Sequence, residues 1–163
     1  MQYISHYDSP LGRMLLAADQ EGLTGAWFEG QKYFARSLDR EHEERKLPVF
    51  DQAVQWLEVY FSGRSPEFAV ALHPRGTAFQ KEVWKILLEI PYGETRTYGE
   101  IAAETAARMG RSHMSAQAVG GAVGHNPISI FIPCHRAVGA GGRLTGYAGG
   151  LDKKEKLLRL EKS

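Results

Sequence analysis

The stretch TYGEIAAETAARMGRSHMSAQAVGGAVGHNP, residues 97–127, reads as two helices joined by a short turn. Thr97 stands three residues before Glu100. At that spacing the hydroxyl and the carboxylate each take a backbone N–H from the other residue, so a helix starts here. After RSHM, residues 111–114, a second helical segment follows over SAQAVGGAVGHNP. Two helices so joined resemble a helix-turn-helix. Gly120, Gly121 and Gly124 weaken the second helix, since each interior glycine costs roughly 1 kcal/mol relative to alanine. Two explanations stand side by side: close packing on a neighbouring helix, or a surface almost free of side chains that lets a nucleic-acid backbone approach.

Upstream, TAFQKEVWKILLEI, residues 77–90, repeats the design. Thr77 and Gln80 have capping-box spacing; Phe79, Val83, Ile86, Leu87 and Ile90 form one stripe; Pro91 stops the helix. The first half has a different texture. QYISHY, GRMLLAA and LTGAWFE are short, β-rich and separated by DSPLG and DQEG, so they predict an antiparallel meander. DREHEERK, residues 39–46, reads as a solvated helix end or loop. FDQAVQWLEVYF places Ala53, Trp56, Leu57, Tyr60 and Phe61 on a helical core face. FAVAL, residues 68–72, predicts a further strand, and VALHPRG a link. The expected fold is therefore α+β: a small N-terminal antiparallel-sheet domain, residues 1–74, then a mainly helical C-terminal domain with a helix-turn-helix, residues 75–163.

The chain of 163 residues is long enough to bury a core without covalent staples, and its single cysteine excludes an internal disulfide and a cysteine-rich zinc site. A reducing, cytoplasmic setting is the expectation, with no membrane partner: the apolar runs fall far short of the roughly 20 residues that cross a bilayer. The N-terminus also lacks a basic region followed by an apolar one. The net charge of +1 hides an asymmetry. Residues 1–74 hold 7 Lys/Arg against 11 Asp/Glu, whereas residues 75–163 hold 13 against 8. A basic half beside an acidic one points to a polyanionic partner, though scattered solvated lysines produce the same count.

The lone cysteine lies in FIPCHRAVGAGGRLTGYAGG, residues 131–150. ISIFI, residues 128–132, predicts a buried strand, with Pro133 keeping Ile132 extended. Cys134 follows it, and two readings are open: an inert small hydrophobe, or a nucleophile whose thiol is acidified by His135 and Arg136. Adjacent residues of an extended chain point apart, so His135 serves Cys134 only if the chain turns or a water joins them. In LDKKEKLLRLEKS, Asp152 is the expected N-cap, with Glu155 three residues on. Glu161 falls on the core-facing stripe below Leu157 and Leu158. It is either solvated in a frayed end or the third member of a Cys-His-Glu relay.

IPCHRAVGAGGRLTGYAGG, with IPYGETRTYGEIA upstream, AVGGAVGHNPISI between them and KLLRLE at the end, resembles the methylated-DNA-protein-cysteine methyltransferases, the O6-alkylguanine-DNA alkyltransferases. The likeness is detailed over residues 75–161 and looser before them. It implies a DNA repair protein that moves the alkyl group of O6-alkylguanine, and of O4-alkylthymine, irreversibly onto its own Cys134. His135, reached through a water, and Glu161 complete the relay. The helix-turn-helix enters the minor groove and the damaged base is rotated into a pocket. Tyr98 matches a hydrogen-bond donor toward guanine N3, Asn126 a brace for the active-site turn, and Tyr147 with Ala148 the loop lining the pocket. The partner implied is double-stranded DNA carrying O6-alkylguanine, bound by a monomer without cofactor or metal.

The sequence departs from that pattern in three places. Many members carry an arginine where Gln117 stands, and it fills the gap left by the flipped nucleotide. On the same helix Ala118 and Gly121 are the expected close contacts with DNA. The turn after Tyr98 is longer than in some members, offering Arg108 or Arg111 to phosphate, and the zinc cysteines of some relatives are absent. Two rivals from other classes remain: a non-catalytic sensor of alkyl lesions, against which Cys134 argues, and a thiol hydrolase using Cys-His-Glu, which would turn over.

Overall fold

A computed structural model describes residues 1–162, which form two compact units. The first comprises Met1–Arg75 with Pro127–Ser129; the second comprises Gly76–Asn126 with Ile130–Lys162.

The first unit is built on a sheet. Strands β1 (Gln2–Ser9), β2 (Gly12–Ala18) and β3 (Leu23–Phe28) run antiparallel in the spatial order β3-β2-β1. Ser9 pairs with Gly12 across the first turn, where the Ser9 hydroxyl donates to the Gly12 carbonyl at 2.6 Å and accepts from the Leu11 N–H at 3.1 Å. In the second turn Asp19 accepts from the N–H groups of Glu21 and Gly22 at 2.8 and 3.2 Å. Side-chain carboxylates and hydroxyls that bond backbone two or three residues on are what make such segments turn. Strand β3 is buried throughout, and Leu15, Ala17 and Trp27 form a cluster flanked by Ile4, Ala35 and Leu38. Helix α1 (Pro48–Phe61) packs against β1 and β2, burying Phe50, Ala53, Leu57 and Tyr60 and covering Trp56 and Phe61 in part.

Two expectations are corrected here. Within DREHEERK, His42–Glu44 is a strand, β4, which pairs in parallel with Gln2–Ile4. All three of its residues are exposed, so backbone bonding rather than apolar burial recruits it, with Glu44 also 3.7 Å from His6 of β1, and its charges guard a sheet edge. FAVAL forms no strand: only Leu72 bridges to Leu23, while Phe68 stays exposed. The backbone there passes so close to Gly22, at φ +155°, that a Cβ would lie 2.6 Å from the Ala71 carbonyl.

The second unit is mainly helical. Thr77 and Thr97 cap α2 (Ala78–Leu88) and α3 (Tyr98–Arg108), and in both capping boxes the two reciprocal bonds form. The Ser115 hydroxyl caps α4 (Ala116–Gly124) by accepting from the Ala118 N–H. The three helices pack on one another through Val83, Trp84, Ile86 and Leu87, Ile101, Ala102 and Ala106, and Val119, Ala122 and Val123. Trp84 Nε1 donates to the Ala122 carbonyl at 2.9 Å, so the indole joins α2 to α4 with its one polar atom satisfied. A two-stranded parallel pair, β5 (Arg96–Thr97) and β6 (Ala137–Val138), and the C-terminal helix α5 (Leu151–Lys162) complete the unit.

Residues 128–132 are buried, yet they are no strand: Ile128 makes one isolated bridge to Ala26, and Ile130 turns the chain at φ +73°. A β-branched residue in that region is strained, so the surrounding packing must hold it. The start of α5 also differs from expectation. The Lys154 N–H donates to the Gly150 carbonyl at 3.1 Å, which puts Gly150, at φ +101°, in the capping position and Asp152 inside the first turn.

Candidate active site

The segment from Cys134 to Arg136 is one turn of 3₁₀ helix, so the chain does turn at the cysteine. Cys134, His135, Arg136 and Glu161 are all buried. Their arrangement centres on the Glu161 carboxylate, delivered by the inward stripe Lys154, Leu157, Glu161 of α5. His135 Nε2 lies 2.5 Å from Glu161 Oε2. Arg136 donates from Nε to Oε1 at 2.9 Å and from Nη2 to Oε2 at 3.2 Å, and the Gly93 N–H donates to Oε1 at 3.0 Å. An oxygen pair that accepts from three N–H groups, two of them on a guanidinium, is an ionised carboxylate.

The expected acidification of the thiol by His135 and Arg136 is not what the site contains. Burial raises the Cys134 pKa above the ordinary thiol value, and Arg136 is turned away onto Glu161 and the Ile90 carbonyl. The influences that oppose burial are a hydrogen bond from Asn126, the charge of Lys154 and the N–H groups of Cys134 and His135. His135 is shifted downward, chiefly by burial, with Glu161 pulling upward and Arg136 and Lys154 pushing down. Burial therefore favours the neutral ring. With Nε2 facing a carboxylate, the proton sits on Nε2 and the lone pair on Nδ1.

Lys154 was not anticipated. Its side chain is fully buried, and Nζ donates to the carbonyls of Thr145 and Gly146 at 3.0 and 3.1 Å and approaches the Tyr98 hydroxyl at 3.4 Å. Burial lowers its pKa to about 8 while the cysteine thiolate draws it back up. The signal was present: Lys154 precedes Leu157 by three residues and Glu161 by seven, the spacing of one helix face. Four lysines within LDKKEKLLRLEK made all of them look solvated.

Tyr98, at the start of α3, donates its hydroxyl to the Thr145 carbonyl at 3.1 Å, and burial raises its pKa. Asn126 is buried just after α4, with Nδ2 donating to the Ile132 carbonyl at 2.8 Å, two residues before the thiol. Tyr147 and Ala148 are half-buried in the glycine-rich loop that leads into α5.

On α4, Gln117, Ala118 and Gly121 are exposed, and a Cβ at Gly120, Gly121 or Gly124 would meet nothing within 4 Å. Close packing therefore does not explain these glycines. They leave an open face. A groove of about 530 Å³ lies between the alanine-rich side of α3 (Ala102, Ala103, Ala106, Ala107) and the turn carrying Arg111, Ser112 and His113. Arg108 is engaged elsewhere, bonded to Glu104 at 2.9 Å and to both oxygens of Glu89 at 2.8 and 2.7 Å. Of the two arginines considered, Arg111 is the one that borders the groove.

Two family models cover this chain: the 6-O-methylguanine DNA methyltransferase ribonuclease-like domain over residues 2–74 and the DNA-binding domain of the same family over residues 78–163. The chain belongs to the methylated-DNA–protein-cysteine methyltransferase family. It is 48% identical over 161 residues to the methylated-DNA–protein-cysteine methyltransferase of Methanosarcina acetivorans, covering 99% of both chains. The enzyme of that name from Mycobacterium tuberculosis is 49% identical over 161 residues, 97% of this chain and 93% of the relative. A crystal structure of Mycobacterium tuberculosis OGT in complex with DNA superposes with a TM-score of 0.84 at 47% identity, covering 98% of this chain and 92% of that one. An O6-methylguanine DNA methyltransferase from Methanococcus jannaschii, 25% identical, superposes at 0.64 over 98% and 92%. The α+β class and helix-turn-helix expected for this family are present.

Proposed function

We propose that this protein reverses alkylation of DNA by moving the alkyl group from O6 of guanine to Sγ of Cys134, once per molecule. The observation that carries the reading is the buried turn holding a lone thiol and an imidazole, with a carboxylate behind the imidazole. The thiol proton passes to Nδ1 of His135, through a water as in the family, while Glu161 stabilises the imidazolium that forms. Sγ then bonds the alkyl carbon as the C–O6 bond breaks, and guanine leaves after taking a proton delivered at N3 by Tyr98. Lys154, close to Tyr98 and Cys134, favours negative charge on either oxygen or sulfur. Asn126 braces the turn, and Tyr147 and Ala148 line the base pocket. O4-alkylthymine is a second substrate in this reading, and the protein acts as a cytoplasmic monomer on duplex DNA, needing neither metal nor cofactor.

Carbon–sulfur bond formation offers no return step, which separates this function from a thiol hydrolase. Incubation with duplex DNA carrying O6-methylguanine is expected to raise the intact mass by one methyl group, located on Cys134, with repair levelling off near one equivalent of protein. Sustained turnover would overturn the reading. Unmodified mass with tight lesion binding would make the protein a sensor.

The DNA face of this reading comprises Gln117, Ala118 and Gly121 on α4 and Arg111 beside the groove. Gln117 fills the space of the flipped base by shape and hydrogen bonding, without the stacking and phosphate attraction of an arginine. Gln117→Arg is expected to speed transfer from duplex DNA several-fold, on the order of 1 kcal/mol in a stacking or charge contact, while hardly altering the reaction with a free O6-alkylguanine base. Equal rates on duplex DNA for the two proteins would remove Gln117 from the flipping mechanism.

A further inference from the structure

The relay expected from the sequence has three members, yet the carboxylate at its end serves two bases at once. Arg136 binds both oxygens of Glu161 at 2.9 and 3.2 Å, is held from behind by the Ile90 carbonyl at 2.7 Å, and lies 5.8 Å from the centre of the Tyr92 ring. His135 binds the same carboxylate through Nε2. A buried carboxylate facing an imidazole alone favours the imidazolium strongly, because the charged pair is the only way to neutralise it in low dielectric. An imidazolium has no lone pair with which to take the thiol proton.

We propose that Arg136 is a positioning residue which, by clamping both oxygens of Glu161, cancels the carboxylate charge felt by His135 and so keeps the imidazole a base. The inference rests on the reading of His135 as the proton acceptor. Charged and titratable groups reach this cluster from three elements. The turn of His135 supplies Cys134 and Arg136, and α5 supplies Glu161 and Lys154; the segment after α2 supplies the Tyr92 phenol, which lies against Arg136. Burial opposes protonation of His135 most, Glu161 favours it, and Arg136 and Lys154 add to the opposition; of the two cations, Arg136 is the one bonded to the Glu161 carboxylate. A planar guanidinium suits the task, since it meets two carboxylate oxygens in one plane and keeps its charge at every relevant pH.

The test follows the His135 ring resonances by NMR as a function of pH, beside single-turnover transfer rates over the same range. Four proteins are needed: wild type, R136Q, R136K and the double variant R136Q/E161Q. In R136Q the midpoint of His135 protonation is expected to rise by about 1–3 pH units, the size of an uncompensated opposite charge at contact distance. Transfer needs the neutral imidazole, so its acid limb moves up by the same amount and the rate recovers as pH increases. R136K, which keeps the charge without the two-pronged contact, is expected between wild type and R136Q, and it preserves the test should the glutamine variant not fold.

In the double variant the carboxylate is gone as well, and the midpoint is expected to return to the wild-type value or below. That reversal is a signature of charge that lost packing does not imitate. A R136Q protein with the wild-type midpoint and a rate lowered equally at all pH values would overturn the proposal and leave Arg136 a structural residue. A midpoint that rises while the rate profile stays in place supports the clamp and overturns the assignment of His135 as the base.

Discussion

A Cys134→Ser protein is expected to bind alkylated duplex DNA and accept no alkyl group. Serine is nearly isosteric, and its hydroxyl is able to take the hydrogen bond from Asn126 that the sulfur receives. The difference lies in the proton. Burial holds even the Cys134 thiol above its ordinary pKa, opposed by Asn126, Lys154 and two backbone N–H groups, and in the proposed relay deprotonation depends on His135 as well. A serine hydroxyl starts several units higher, and its oxygen is a poorer nucleophile toward an alkyl carbon than sulfur. Transfer should fall by at least about 10⁴-fold, the scale seen when a member of a nucleophilic relay is removed. Intact mass after long incubation measures transfer, and a salt titration of lesion binding shows whether the DNA face survives. Affinity should fall steeply with salt as counterions are released. A serine protein that gains a methyl group on any residue would displace Cys134 as the acceptor.

Glu161→Ala should be costly in a second way. Removing the carboxylate strands the Arg136 guanidinium with only the Ile90 carbonyl among the partners described above, and takes the acceptor from His135 Nε2 and the Gly93 N–H. Breaking a buried pair by deleting one partner costs about 3–5 kcal/mol, because the remaining charge stays out of water. At about 2–4 °C per kcal/mol for a chain of this size, the midpoint of thermal unfolding should drop by roughly 6–20 °C. Transfer should also slow by on the order of 10³- to 10⁴-fold, as an imidazole without its orienting acid does. Glu161→Gln keeps the shape and one acceptor oxygen, so it should lose less stability than the alanine variant. A loss below about 1 kcal/mol for Glu161→Ala would mean that the carboxylate exchanges freely with water. The 2.5–3.2 Å contacts would then not describe its solution state.

What the sequence determined by itself is what local chemistry decides. The capping boxes at Thr77 and Thr97 form because hydroxyl, carboxamide and carboxylate reach backbone groups three residues away, whatever the rest of the chain does. Strands β1, β2 and β3 followed from short β-rich runs cut by DSPLG and DQEG, since turn residues set the register locally. The inward placing of Glu161 was legible for the same reason, being a matter of helical period.

Tertiary structure decided whatever depends on a distant partner. The charged segment His42–Glu44 became a strand because β1 had a free edge, and the apolar ISIFI did not become one because it forms isolated bridges, with Ile130 turning the chain between them. The electrostatics of the site also lay beyond sequence. Arg136 adjoins Cys134 in the chain, yet it points to Glu161, 25 residues on; Lys154, 20 residues past the cysteine, is the cation that acts on the thiol. Charge acts through space and burial, so which cation meets which anion is settled only when α5 packs against the turn at Cys134.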